Sequence, residues 1–448
     1  STKIYSPGYM ALSKIIKILL PAIIMIAAQG NIAAAVGQMF LTVDSLLSLG
    51  IDNNLQLRAS ALQQRMALER TKAARKELLP EVTVDIQAGY SGQPTVFESG
   101  LSGATHPESP NWQQSYAVEV TQPLYHGGRL RTAIRKSDIE HTIATLQTAD
   151  GEADVKLALL RQYMTLFSYY KQRDVLQRNI EESEIRLKDI RKMKEEGLIT
   201  NNDVLRSELQ LTTDRLSLTE AENNIALASM QLDILLGLDE SLLIIPDTTL
   251  LEKTTALTDY KTCIDDAYRN NPKMQLARQQ TALAKNETQA ALNEYLPQVS
   301  LYAGNTLARP ITRTMTDRFS NSWNIGIRIT YSLSSLYKNR SNVGERRGNE
   351  LFFQNEEERL KQQLRMTIRE AYLDHIEAVE RVEALNLSVR QARENFRIMQ
   401  NRYLGQLAIL TDLLDANSVL LSAELELTVA RVTVIYTYYE LLNACGRL

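Results

Sequence analysis

The chain is written twice, and this repeat constrains its fold more than any other feature. With the numbering shifted by 217 (270 − 53), Asn53-Asn54 falls on Asn270-Asn271, Ala73-Ala74 on Ala290-Ala291, Leu79-Pro80 on Leu296-Pro297 and Val82 on Val299. Further along, the shift becomes 209 (333 − 124). Leu124 then falls on Leu333, Arg131 on Arg340, Tyr163 on Tyr372, Asp203 on Asp412, Leu205 on Leu414, Leu216 on Leu425, Ala221 on Ala430 and Gly237 on Gly446. The difference of 8 (217 − 209) gives the first copy eight extra residues between its Leu-Pro and its second strand, a longer loop. A single core stops growing near about 250–300 residues. Two copies of one unit in 448 residues therefore favour an elongated molecule without one central core.

Each copy reads helix, strand, strand, very long helix, turn, long helix. The first repeat is placed at 36–248, with strands at about 82–91 and 115–125, a long helix at about 129–196 and a helix at about 201–236. The second is placed at 249–448, with a helix at about 260–295, strands at about 298–306 and 322–333, a long helix at about 338–403 and a helix at about 411–444. The strands show period-two alternation. Val82, Val84, Ile86, Ala88 and Tyr90 alternate with Thr83, Asp85, Gln87 and Gly89, and Tyr116, Val118 and Val120 with Glu119 and Thr121. In the second copy Val299, Leu301 and Ala303 alternate with Ser300 and Tyr302, and Trp323, Ile325, Ile327, Ile329 and Tyr331 with Asn324, Gly326, Arg328 and Thr330.

Alternation alone describes any sheet with one wet face. An apolar face, a polar face carrying Asp85, Glu119 and Arg328, and aromatic ends at Tyr90, Tyr116, Trp323 and Tyr331 are what a tilted outer-membrane strand requires. The aromatics are expected at the membrane interfaces and the three charged residues toward a lumen. In hydrocarbon every backbone donor and acceptor must be paired, so four strands with free edges span a bilayer only by closing with copies of themselves. The segments Ser91 to Ser115 and Asn305 to Asn321, rich in Gly, Pro, Ser, Thr and Asn, read as surface loops.

The long helices read as water-facing bundles. From about Leu130 to Lys194 only Gly151 interrupts the helical pattern, a span on the order of 100 Å at 1.5 Å per residue. Leu159, Tyr163, Leu166 and Tyr170, then Leu176, Ile180, Leu187 and Ile190, recur at spacings of three, four and seven with charged residues between them. That is a packing stripe on an otherwise solvated helix. Tyr169-Tyr170 and Tyr438-Tyr439 read as bundle packing.

Ahead of the repeats, Lys14 and Lys17 precede an apolar run from Ile18 to Ala28 and the small residues Ala33, Ala34 and Ala35. This is the layout of a secretory signal over 1–35, the apolar run being too short for a membrane-spanning helix. Lys+Arg 50 against Asp+Glu 53 advertises no nucleic-acid partner. His106, His126, His141 and His375 sit in no ligand spacing, no cofactor is implied, and no set of nucleophile, base and oxyanion groups suggests an enzyme. The two cysteines, Cys263 and Cys445, fall near helix ends that could meet, as a disulfide or as two free thiols.

This order, with Leu41-Thr42-Val43-Asp44, Asn53-Asn54, Leu79-Pro80, Gln122-Pro123-Leu124, Gly127-Gly128, Asn270-Asn271-Pro272, Leu296-Pro297 and Asp412-Leu413-Leu414-Asp415-Ala416, resembles the TolC family of outer-membrane efflux proteins. The resemblance covers about Leu41 to Leu448. It implies a mixed, mostly helical protomer with four transmembrane β-strands and long coaxial helical hairpins. Three copies would close a twelve-stranded β-barrel in the outer membrane of a Gram-negative bacterium, above a periplasmic α-barrel. It further implies an exit duct for drugs, metal ions or secreted proteins, fed by a periplasmic adaptor and an inner-membrane pump of RND, ABC or similar class. By the same resemblance Asp412 and Asp415 narrow the periplasmic entrance, and Tyr403 helps to hold the closed state. The turn with Gly197, Leu198 and Asp203 and its counterpart with Gly405 and Gln406 would receive the adaptor. The best-known members place an arginine between the tyrosine and the first aspartate where this chain has Ala408, so their closed-state lock does not carry over intact. Read from the residues alone, Thr411 and Asp412 also suit the start of an ordinary solvated helix. A periplasmic adaptor or a coiled-coil envelope protein would share the hairpins but not the tandem repeat with four strands.

Overall fold

Two asparagine corners open the two repeats, and the breaks they impose explain the first elements. The computed structural model describes residues 37–247, 259–310 and 317–448. The expected signal at 1–35 and the junction between the repeats lie outside the described residues. A short strand β1 (Gln38–Leu41) leads into α1 (Val43–Asn53), capped by Thr42, whose side chain accepts from the Ser45 amide. Asn54 then stops α1 and starts α2 (Leu55–Lys76), its Oδ1 accepting from the Leu57 amide at 3.0 Å. The second repeat breaks the same way. The helix expected over 260–295 is two helices, α5 (Tyr260–Asn270) and α6 (Pro272–Asn293). Asn271 precedes a proline, which drives it out of the helical region, and it caps α6 through the Lys273 amide at 2.9 Å.

Between the helices lie the strands. In chain order they are β2 (Glu81–Tyr90), β3 (Val96–Ser99), β4 (Ser102–Thr105), β5 (Trp112–His126), β6 (Leu243–Pro246), β7 (Gln298–Arg309) and β8 (Ser320–Thr330). The first copy's longer loop carries a hairpin of its own, β3 against β4. Strand β6 pairs in parallel with β1, a contact without a period-two signature in the sequence. Strand β5 starts three residues before the expected position and β7 runs on to Arg309, while β8 ends at Thr330 because Ser332 to Leu336 turn into the next helix.

The long hairpins follow as α3 (Arg129–Glu195) with α4 (Asn201–Leu236), and α7 (Ser335–Leu404) with α8 (Leu410–Ala444). At 67 and 70 residues, α3 and α7 each span about 100 Å. Among the described residues no helix is long and apolar enough to cross a membrane. Two apolar clusters hold the hairpins. One, around Leu41, Leu159, Tyr163, Phe167, Leu232, Leu236 and Ile244, packs the β1–β6 ribbon and α1 against α3, α4 and α8. The buried Tyr163 hydroxyl donates to the Leu41 carbonyl at 2.6 Å and accepts from the Asp247 amide at 2.8 Å. The other, around Ile190, Val204, Tyr403, Leu410 and Leu413, sits at the far ends of the helices.

The repeat motif residues have local reasons. Gly237 and Gly446 both end a long helix in the left-handed conformation, at φ 66° and 72°. A side chain on Gly446 would come within 2.8 Å of the Asn271 amide nitrogen, and one on Gly237 would meet Asn53 at 3.4 Å. In each repeat the glycine thus lets the returning helix end against the asparagine corner.

Candidate functional site

The sheet has four strands in the order β2-β5-β7-β8, all antiparallel. Its middle pair, β5 with β7, joins the two repeats, so the two free edges come from different repeats. Directly opposed residues of an antiparallel ladder share a face, and the register therefore sorts the side chains. Val82 opposes Val120, Val84 opposes Val118, Ile86 opposes Tyr116 and Tyr90 opposes Trp112. The same face continues through Val120 to Ala303, Tyr116 to Leu307, and then Ala303 to Ile325, Leu301 to Ile327 and Val299 to Ile329. It is apolar across all four strands, with Gln114, Gln122, Asn305, Arg309 and Asn321 as its polar exceptions. The opposite face carries Thr83 against Glu119, Asp85 against Ala117, Glu119 against Gly304, Ser300 against Arg328 and Gly304 against Asn324. Asp85, Glu119 and Arg328 thus share the polar face. The Arg328 guanidinium lies 4.9 Å over the Tyr302 ring, which crosses Gly326 where a side chain would collide with it.

Tyr90, at 67% exposed, stands at the loop end of β2, 5.8 Å from Trp112 in an edge-on pair. Trp323 opposes Asn305, level with Val118 and Val84, and so lies inside the sheet and not at the expected strand end, while Tyr331 follows β8 at the helix end. Tyr116 is not terminal, because β5 starts four residues earlier at Trp112 and places Tyr116 mid-strand. Trp112 takes the strand-end position instead, opposite Tyr90. A bulge between Pro123 and Tyr125 re-phases β5 so that Tyr125 opposes Val299 on the apolar face at the helix end. Sequence alternation alone misses Tyr125 because the bulge inverts it, and the Pro123 that cannot join a ladder was the available signal.

At the far end of the hairpins the two turns are built on one plan with different residues. In the first, Gly197 adopts φ 73° and the Leu198 amide donates to the Met193 carbonyl at 2.9 Å. Thr200 and Asp203 close a capping box, the Asp203 carboxylate accepting from the Thr200 amide at 3.0 Å and hydroxyl at 2.7 Å. In the second, Gln406 takes the left-handed position at φ 60°, next to Gly405, and the Leu407 amide donates to the Arg402 carbonyl at 2.7 Å. Ile409 replaces the capping threonine, so Asp412 has no capping partner, and both Asp412 and Asp415 are exposed. Tyr403 is buried among Leu410 and Leu413, its hydroxyl without a partner. Burial, then the Asp203 charge, raises its pKa.

The hairpins are tied by polar groups that the sequence reading did not single out. Arg206 of α4 donates to the Thr411 hydroxyl at the start of α8 at 2.7 Å, whereas Ala408 brings no cation. Deeper in, the buried Arg186 of α3 donates to Asn417 Oδ1 at 3.2 Å and to the Ser183 hydroxyl at 2.7 Å, and stacks 5.4 Å from the Phe396 ring of α7. Asn417 donates to Asn179, and Asn179 donates to Asp214 at 3.0 Å. Burial lowers the Arg186 pKa, with Glu182 and Asp214 opposing it. The signal was present, since Asn179, Ser183, Arg186 and Ile190 recur at spacings of four and three beside the apolar stripe.

The family model described as "Outer membrane efflux protein" matches residues 46–238 and 263–447. The chain belongs to the outer membrane efflux protein family. Its membership places it in the outer membrane with a periplasmic portion, as an efflux channel and not as an adaptor, a coiled-coil scaffold or an enzyme. Outer membrane protein TolC of Escherichia coli is 22% identical over 451 residues, covering 96% of this chain and 87% of that protein. The VceC structure from Vibrio cholerae has a TM-score of 0.76 at 17% identity, covering 90% of this chain and 96% of the other. The open-state MtrE channel of Neisseria gonorrhoeae has a TM-score of 0.72 at 17% identity, covering 90% and 88%. In this efflux-protein frame the two-faced sheet is the membrane part and the long hairpins are the periplasmic part.

Proposed function

We propose that the protein is one third of a trimeric exit duct that takes cargo from an inner-membrane pump and a periplasmic adaptor. The observation that carries this is the sheet. Val82 at 61%, Ile86 at 68% and Ile327 at 63% exposure leave its apolar face uncovered in one protomer, and β2 and β8 leave both edges unpaired. Hydrocarbon suits the apolar face, but it tolerates the open edges only if the edge of β8 pairs with β2 of a neighbour around a closed ring. The number three follows the family, giving twelve strands from four per chain.

Asp412 and Asp415, one helical turn apart and both exposed, would form two acidic rings around the three-fold axis at the periplasmic entrance, with Tyr403 packed behind them. Arg206 and Arg186 supply the link between hairpins that an arginine at 408 would supply elsewhere in the family. The tips, with Gly197, Leu198 and Asp203 in one and Gly405 and Gln406 in the other, are the adaptor-docking surface. Exposed Leu198, Leu404, Leu407 and Ile409 support that reading. Tyr90, Trp112, Tyr125 and Tyr331 serve as interface anchors, Trp323 lies deeper on the same apolar face, and Asp85, Glu119 and Arg328 line the lumen. Detergent-extracted protein is expected to run as a trimer by light scattering, at three times the mass of one protomer. A monodisperse monomer in buffer without detergent would overturn the duct.

A further inference from the structure

The two cysteines are the only two in the chain, and they stand 182 residues apart (445 − 263) in sequence. The fold brings them together. Cys263, in the first turn of α5, and Cys445, at the end of α8, are each 1% exposed and share an apolar cluster with Ala267, Ile368 and Leu441. Packing in that one cluster brings the two cysteine side chains together between α5 and α8. The surroundings fix this meeting point from both sides. Arg447 pairs with Asp266 just past the thiols, and the Asn271 side-chain amide donates to the Ala444 carbonyl at 3.4 Å. The structure records both thiols as free.

We propose that Cys263 and Cys445 are a disulfide site, oxidised in the mature channel, that staples the start of the second repeat to the end of the chain. The periplasmic portion of an outer-membrane protein lies in a compartment where disulfides form and persist. The reaction is thiol–disulfide exchange with a protein disulfide donor. One cysteine thiolate attacks a donor sulfur to give a mixed disulfide. The second thiolate then attacks the chain's sulfur of that bond and expels the donor as a dithiol. The two electrons and two protons leave the chain for the donor, and one S–S bond remains. Burial pushes the Cys445 thiol up and deprives the packed pair of the thiolate that exchange needs. Oxidation therefore precedes the docking of α5 on α8, and the finished bond is shielded from reductants.

The test uses full-length protein taken from outer membranes with N-ethylmaleimide present from lysis and then denatured in it. The expected result is no maleimide adduct and an intact mass about two hydrogens below the reduced chain, with two adducts appearing only after prior reduction. The single variant Cys445→Ala is expected to give one adduct, which shows that the reagent reaches the remaining thiol. Two adducts on unreduced wild type would overturn the proposal. A covalent dimer on a non-reducing gel would overturn it as well, since the bond would then join two chains. A channel with both cysteines replaced by alanine is expected to lose the drop in unfolding temperature that reductant causes in wild type.

Discussion

Gln406 and Gly197 occupy the same place in the two hairpin turns, and 406 − 197 = 209 is the repeat shift itself. Both sit in the left-handed region, at φ 60° and φ 73°. That conformation costs a residue with a side chain roughly 1–2 kcal/mol and glycine nothing comparable. Gln406→Gly is therefore expected to firm the second turn by about 0.5–1 kcal/mol, after allowing for the freer unfolded chain. Gly197→Ala should loosen the first by about 1 kcal/mol. Hydrogen exchange at the turn-closing amides of Leu407 and Leu198 reads both effects, a few-fold slower in the first case and about five-fold faster in the second. Asp233 is a different residue-scale liability, fully buried with both carboxylate oxygens unpartnered. Burial, reinforced by the Asp239 charge, raises its pKa from 3.8 to about 6. The folded chain thus holds a proton that the unfolded chain releases at lower pH. Its contribution to stability is intact below about pH 4, declines as pH rises to 6, and leaves the full penalty above that. Asp233→Asn should stabilise at pH 8 by at most about 3 kcal/mol, a gain that vanishes below pH 4. Melting curves across that range that run parallel to wild type would refute it.

At the scale of elements, strand alternation and helix periodicity made the four strands, both long hairpins and the eight-residue loop difference legible in the sequence. What they could not convey was where neighbours intervene. The Asn271-Pro272 break that splits α5 from α6 lay in plain view, yet its helical surroundings masked it. The bulge at Pro123 to Tyr125 depends on register with β7, which no single strand specifies. The β1–β6 ribbon has four residues per strand and gains its place from Tyr163 and the apolar cluster beneath it. The two faces of the sheet give a sharp contrast to test. Ile325 lies mid-strand on the apolar face and Asn324 beside it on the polar face. Ile325→Arg should cost about 2–4 kcal/mol at the membrane midplane and reduce the yield of assembled channel, while Asn324→Arg should assemble normally. Equal yields of assembled channel from the two variants would count against the assignment of faces.

For the whole molecule the question is how the periplasmic end opens. Within one protomer the first hairpin grips the second at Arg206 to Thr411, Arg186 to Asn417 and Asn417 to Asn179, and Asn417 is two residues from Asp415. Asp412 and Asp415 themselves hold nothing, being exposed and without an ion pair among the described residues. The grip and the proposed acidic rings therefore separate by mutation. Replacing Asp412 and Asp415 with Ala removes six negative charges from a trimeric entrance but leaves every hairpin contact in place. Block by multivalent cations should then weaken at least ten-fold, with conductance rising, because rings of carboxylates concentrate cations at a constriction. Arg206→Ala with Arg186→Met releases the hairpins but keeps the rings. It should raise the open fraction of single channels while the blocked state binds multivalent cations as tightly as wild type. A buried arginine that loses its partners is costly, whereas methionine fills the space over Phe396 without a charge, so the second variant is chosen to fold. Planar-bilayer recordings of both variants distinguish the two roles. Unchanged conductance and block in the aspartate variant would remove Asp412 and Asp415 from the entrance, and an unchanged open fraction in the arginine variant would remove the hairpin link from gating.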